Sequence, residues 1–153
     1  MSENIKPLIV PMSQSHIKEV AEIEKECFSD PWSEEGLLSE LDNDTAYFYV
    51  CKKQDQVAGY VGTHIVLDEC YIANVAVKPA FRRMGIAEKL LDFAEKNAME
   101  KNCSFISLEV RVSNIPAINL YKKRGYISQG ERKNFYSHPT ENALIMTKTF
   151  SEE

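Results

Sequence analysis

The sequence lacks an excess of positive charge, has few histidines and carries no long apolar run. Its 18 Lys and Arg are outnumbered by 23 Asp and Glu, for a formal net charge of −5. Affinity for a phosphate backbone comes largely from clustered Lys and Arg, so direct nucleic-acid binding is not expected. An acidic balance instead suits a partner with a basic segment. No apolar run approaches the roughly 18 residues needed to cross a bilayer, so no membrane span is expected. The opening residues show no cationic head followed by an apolar stretch, and no secretory signal is expected there. The four cysteines, Cys27, Cys51, Cys70 and Cys103, form no CxxC pair, and His16, His64 and His138 are as dispersed. That spacing argues against a disulfide framework and against a metal site; buried, reduced thiols in a cytoplasmic protein are the plain reading. Repeats, low-complexity tracts and Gly/Ser linkers are absent as well. The 153 residues therefore read as one domain, 1–153, long enough for a core that needs no cross-links.

What is there reads as alternating strands and helices. Leu8 to Met12 is a short apolar strand. Ser13 or Ser15 can cap a helix with Ile17, Val20, Ala21 and Cys27 on one face. Pro31 breaks it, since it disfavours helical geometry at Asp30, and Ser33 can cap a second short helix with Leu37, Leu38 and Leu41. Three β-rich runs follow, Tyr47 to Lys52, Val57 to Val66 and Tyr71 to Val77, joined by short polar turns in the manner of an antiparallel meander. Gly85 to Lys101 is the clearest helix, with Ala87, Leu90, Leu91, Ala94 and Ala98 as its buried stripe. Phe105 to Val110 reads as a strand. Asn114 can cap a further helix with Pro116 in its first turn and Gly125 as its stop. Tyr126 to Gln129 and Ala143 to Phe150 read as the last strands. The fold class is α/β (α+β), a mixed, mostly antiparallel sheet flanked by helices.

The stretch from Asn74 to Ala87 says most about function. A strand, Val75-Ala76-Val77, runs into a basic turn, Arg82-Arg83-Met84-Gly85, which opens the long helix at Ile86, Ala87 and Glu88. The first N–H groups of a helix lack partners within it, and with the positive end of the helix dipole they make an anion site. Gly85 lets the backbone approach a phosphate with no Cβ in the way. Read locally, the same residues could be an ordinary basic turn before a helix. Neither a Walker P-loop nor the dinucleotide GxGxxG occurs.

Arg82 to Ala87 resembles the Q/R-x-x-G-x-G/A signature of GNAT acetyltransferases, which holds the pyrophosphate of coenzyme A. A second signature follows at similar spacing, carried by Asn114, Ala117, Leu120, Tyr121, Gly125 and Tyr126. Further segments, Asp30-Pro31-Trp32-Ser33, Val66 to Glu69, Leu108 to Asn114 and Arg132 to Tyr136, are similar to the RimI family, whose members acetylate the α-amine of a small-subunit ribosomal protein. The resemblance implies a GNAT fold over nearly the whole chain. It implies acetyl-coenzyme A as acetyl donor, with no metal, held by Val75, Ala76, Val77, Arg82 to Glu88 and Asn114. It further implies a bulge in the Val75–Val77 strand that frees backbone N–H groups, and a protein N-terminus as acceptor. Phe135-Tyr136-Ser137 departs from the Tyr-Tyr-Pro common in that family, so one phenol hydroxyl is missing.

Acetyl transfer needs a neutral amine to attack a thioester. An α-ammonium, with a pKa of about 7.7–8.0, gives up its proton far more readily than a lysine near 10.4. Glu109, near the end of an apolar strand, is the candidate base, the position of the base in the RimI motif L-E-V-R. The pattern alone favours an ion pair with Arg111, which is on the same face of the strand, and the resemblance reverses that order. Tyr121 is the candidate acid for the departing thiolate; the alternative is a core tyrosine with its hydroxyl at the rim. Trp32 could line the peptide groove or sit in the core, and the resemblance places Tyr136 across that groove. Asp68 and Glu69 read as a solvated hairpin turn, with attraction of a basic peptide tail as the other reading. Transfer to a lysine side chain or a small-molecule amine is the competing function.

Overall fold

The computed structural model of the protein describes residues 6–150. One seven-stranded sheet runs through them in the order β1-β2-β3-β4-β5-β7-β6. The strands are β1 (Leu8–Pro11), β2 (Ala46–Lys53), β3 (Gln56–Val66), β4 (Glu69–Val77), β5 (Phe105–Arg111), β6 (Ile127–Tyr136) and β7 (Glu141–Thr149). The helices are α1 (Ile17–Cys27), α2 (Glu34–Glu40), α3 (Ile86–Glu100) and α4 (Ile115–Lys123). All neighbouring pairs are antiparallel except β4 with β5, which α3 connects as a crossover. Among the described residues no helix is long and apolar enough to cross a membrane.

Each face of the sheet has its own core. On one, α3 and α4 bury Leu90, Leu91, Ala94, Ile118 and Tyr121 against Val61, Ile72, Ile106, Leu108 and Met146. Leu90 and Leu91 are fully buried, each worth about 1.5–3 kcal/mol. On the other, α1 and α2 bury Val20, Ile23 and Leu37 against Phe48, Val50, Tyr60 and Ala76. The second core ends at β4, and the outward faces of β5, β7 and β6 lie beyond it.

Three features depart from the expected pattern. Ser13 caps not α1 itself but a 3-10 turn, Gln14–His16, that leads into it. Its backbone N–H donates to His16 Nδ1 at 3.0 Å. The expected stripe of α3 is shifted: Ile86 and Glu95 are buried and Ala87 only partly so. β6 runs seven residues beyond Gln129, to Tyr136, and almost all of it is exposed. It is an edge strand whose charged side chains discourage pairing with other chains, so neither face carries the apolar alternation by which a strand is read.

Two polar clusters hold the layers in register. Glu95 of α3 accepts from Tyr126 Oη at 2.9 Å, Lys148 Nζ at 2.9 Å and Arg124 at 3.0 Å. This fixes the end of α4 against α3 and β7. Burial pushes the Tyr126 phenol far up, as does the Glu95 carboxylate. Glu24 of α1 is fully buried. It accepts from Tyr60 Oη, from Asn74 Nδ2 at 2.7 Å and from the Trp32 N–H at 2.9 Å. Burial raises its pKa. Removing one partner from such a cluster would leave an uncompensated buried group and destabilise the fold.

Candidate active site

β4 and β5 pair over only three residues, Glu69–Tyr71 against Phe105–Ser107, and then part. The gap is the centre of the site. Its β4 wall is set by a bulge: Thr63 pairs with Ile72 and the adjacent Gly62 with Asn74, leaving Ala73 as the extra residue. The bulge therefore lies at Ala73, upstream of the expected Val75–Val77. Beyond it the Lys78 N–H donates to Ala58 O at 2.7 Å, which fixes the alternation of the ladder. The N–H groups of Val75 and Val77 therefore point away from β3 and into the gap. Ala76 does not share that role, for its backbone faces Tyr60 and its side chain is buried in the second core.

A basic turn closes one end of the gap. A 3-10 turn, Pro79–Phe81, drops Phe81 into the core and leaves Arg82 and Arg83 exposed. Arg83 and Gly85 both adopt left-handed backbone, at φ 65° and 75°. At Gly85 an added Cβ would meet nothing within 4 Å, so the residue faces open space, and its cost to any L side chain is the conformation itself. Gly85 is the N-cap, with no side chain to cap the helix. The first helical bond from this end runs from the Lys89 N–H to Gly85 O. The N–H groups of Ile86, Ala87 and Glu88 therefore have no intrahelical partner. The side chains behind them are engaged elsewhere: Ile86 in the core, and Glu88 3.7 Å from Arg124. Met84 is exposed, and Arg82 hydrogen-bonds Cys27 Sγ and Val77 O. This set fits a pyrophosphate through backbone donors and two cations.

Asn114 caps α4 by accepting from the Ala117 N–H at 3.3 Å. That helix carries Tyr121 to the inner side of the gap. Tyr121 is 7% exposed and its ring lies 5.6 Å from that of Tyr126. Its hydroxyl makes no hydrogen bond among the described residues, yet it is not a sealed orphan, so the oxygen meets open space. Burial pushes the phenol well above its ordinary range, and the nearby Tyr136 adds to that.

Glu109 lies on the opposite face of β5 from Leu108 and Val110, with its side chain 29% exposed. It pairs with Arg132 Nε of β6 at 2.8 Å, and not with Arg111. Arg111 turns to the β6–β7 hairpin. It donates to Glu141 at 3.0 Å and to the carbonyls of Ser137 and Pro139, both at 2.9 Å, and lies 4.5 Å over the Tyr136 ring. Tyr136 is half-buried, and its phenol is pushed up to about 12 by burial and by the Glu109 carboxylate. Glu109, Tyr136 and Tyr121 are thus electrostatic neighbours around one cleft. Across it, the loop between α1 and α2 reaches the hairpin through Asp30, which is 2.9 Å from His138. Trp32 on that loop packs its ring 5.7 Å from Phe48, within the second core. It anchors the rim of the cleft with its backbone on Glu24. Glu24, Asn74 and Tyr71 are site neighbours that sequence pattern did not single out; a lone Glu on the inner face of α1 was the available signal for the first.

Comparisons with known proteins place the chain in a family. Residues 17–126 match the model of the acetyltransferase (GNAT) family. The chain belongs to that family. A Bacillus subtilis protein named as a candidate ribosomal protein bS18-alanine N-acetyltransferase is 41% identical over 148 residues, 96% of this chain and 98% of that one. The Escherichia coli K12 enzyme of that name is 32% identical over 133 residues, 84% of this chain and 88% of its own. The crystal structure of the ribosomal-protein-S18-alanine N-acetyltransferase from Escherichia coli superposes with a TM-score of 0.89 at 27% identity, covering 97% of this chain and 96% of that one. The protein is therefore an acetyl-coenzyme A-dependent N-acetyltransferase of RimI type.

Proposed function

We propose that the enzyme acetylates the free N-terminal α-amine of a protein, the N-terminal alanine of a small-subunit ribosomal protein, in the cytoplasm where that protein is made. The observation that carries this reading is the placement of an accessible carboxylate and an open phenol on two sides of one gap, Glu109 on β5 and Tyr121 on α4. A cofactor-binding module needs neither group. The relatives named above act on such an N-terminus, and an α-amine loses its proton near pH 8 with only a weak base to help.

In this mechanism the donor supplies an activated acetyl thioester. Its pyrophosphate is held by the N–H groups of Ile86, Ala87 and Glu88, with Arg82 and Arg83 at the rim. The Val75 and Val77 N–H groups hold its arm and polarise the carbonyl. Glu109 takes a proton from the incoming ammonium. The freed nitrogen pair forms the new C–N bond, the C–S bond breaks, and the sulfur takes the phenolic proton of Tyr121. The second proton that the acylated nitrogen must lose passes through water to the Tyr121 phenolate, and Glu109 releases the first to solvent, so the net products are the amide, the free thiol and one proton.

Intact masses of the ribosomal proteins from cells with and without the gene test the reading. One small-subunit protein should lack a single acetyl group on its first residue, and purified enzyme should restore it. An unchanged set of masses overturns the assignment.

A further inference from the structure

Glu24 is a fully buried carboxylate that the acetyl-transfer steps above do not use. It lies on the inner face of α1, and its two oxygens serve different elements. Oε1 accepts from the Trp32 N–H at 2.9 Å, on the loop at the rim of the cleft. Oε2 accepts from Asn74 Nδ2 at 2.7 Å, on the β4 wall of the gap, and from Tyr60 Oη. Asn74 stands immediately after the bulge residue Ala73 and pairs with Gly62. Its placement therefore fixes where the strand carrying the Val75 and Val77 N–H groups begins. One turn further along α1, Cys27 Sγ donates to Val77 O at 3.5 Å. The helix thus holds both ends of the segment 74–77, which β5 leaves unpaired.

Apolar packing runs beside this polar tie. The Phe48 ring lies 5.7 Å from that of Trp32 and 6.2 Å from that of Tyr60. It rests on Gly62, the partner of Asn74, where an added Cβ would collide with it. The bulge, the Phe48 ring and the Trp32 loop are therefore packed as one unit. A close-packed interior transmits a displacement instead of absorbing it.

We propose that Glu24 is a positioning residue for acetyl transfer, which holds the donor strand, through Asn74, and the acceptor rim, through the Trp32 N–H, at one fixed separation. A thioester lying along Val75 to Val77 and an amine brought past the rim then meet at bonding distance. The inference rests on the reading of the gap as the acetyl-transfer site. A misplacement of about 1 Å can cost roughly a hundredfold in rate.

Three variants test the tie. Asn74→Ala removes it on the donor side. Asn74→Asp sets two carboxylates against each other. Glu24→Gln combined with Asn74→Asp exchanges donor and acceptor, so the introduced amide donates to the introduced carboxylate and the tie is remade. In each single variant kcat should fall roughly tenfold to a hundredfold, by the same factor at every pH, unlike the loss of a general base. Calorimetric affinity for acetyl-coenzyme A should stay near that of the wild type, since the turn before α3 is untouched. The exchanged pair should recover most of kcat. The acceptors are a peptide with a free N-terminal alanine and the same peptide blocked at its α-amine and carrying lysine, with rates compared on whichever the wild type acetylates. Transfer to the lysine peptide alone overturns the N-terminal reading and leaves the tie to be judged by the same ratios; transfer to neither overturns both. Wild-type kcat in a folded single variant, a loss of donor affinity that accounts for the whole defect, or no recovery in the folded exchanged pair overturns the positioning role. If Asn74→Ala does not fold, the exchanged pair, which keeps both side-chain sizes, decides against Asn74→Asp.

Discussion

The two halves of the cleft are built from different materials. The donor half, the end of β4 and the start of α3, presents backbone: N–H groups fixed by a bulge, by left-handed Gly85 and by a helix that buries Leu90 and Leu91 behind them. The acceptor half, β5 with the β6–β7 hairpin and the Asp30–Trp32 loop, presents side chains. These are mostly exposed and are held by Arg111, Arg132 and Glu24. Backbone donors recognise a group every family member shares, while side chains on an edge strand can change from one acceptor to the next without disturbing the core.

If that division is real, substitutions in the two halves should separate in kinetics. The largest effect is expected at Glu109→Gln, which keeps the shape and removes the proton acceptor. The rate constant should fall roughly 10²–10⁴-fold, and the loss should shrink at alkaline pH, where the amine arrives neutral. A defect that does not change with pH would reassign Glu109 to holding Arg132. Next is Gly85→Glu, which places a carboxylate at the proposed phosphate site and forces an L side chain into φ 75°. Calorimetric affinity for acetyl-coenzyme A should drop by about 10²-fold or more, with the circular dichroism spectrum retained. Unchanged affinity in a folded variant removes the phosphates from this turn.

Tyr121→Phe should slow single turnover by roughly a hundredfold, the low end for acid catalysis because a thiolate leaves with little help. Donor affinity should hold. Because burial keeps this phenol protonated, wild-type rates should rise with pH to a plateau and stay there through about pH 10, the ordinary tyrosine value. A descending limb below that pH, or wild-type turnover in the variant, makes Tyr121 a packing residue. The smallest effect is expected at Arg111→Met, which frees the hairpin from Glu141 and the Ser137 carbonyl. Peptide KM should rise by about tenfold, with acetyl-coenzyme A affinity unmoved. A matching change in donor affinity would show that the halves are not independent.

The same division explains what the sequence made legible. The meander, α3, the crossover and the capped α4 follow from apolar periodicity and from Ser33, Asn114 and Gly125, all of which the structure places as caps and stop. The turn before α3 stood out less by its glycine and two arginines, which an ordinary basic turn also carries, than by its resemblance to the GNAT signature. The acceptor half was not legible in this way. β6 beyond Gln129 is polar on both faces, and nothing in its pattern separates a strand from a loop. The ion pair with Arg111 that strand alternation allowed as the alternative for Glu109 does not form; its partner, Arg132, comes from a strand far off in sequence. The bulge at Ala73 left no mark in residue type, since alanine fits a regular strand equally well.

The short pairing of β4 with β5 has a thermodynamic side. Past Tyr71 the sheet is missing a rung-by-rung ladder, and the Val75 and Val77 N–H groups are left waiting for an acceptor. An acetyl donor whose amide groups satisfied them, as proposed, would serve as a surrogate strand, so the ligand would complete the architecture as well as the reaction. Linkage gives this a size: a donor at a hundred times its dissociation constant adds about 2.7 kcal/mol to the folded state. Cellular acetyl-coenzyme A would then act as a stabiliser of the fold, and a starved cell would hold this enzyme in its more easily unfolded form.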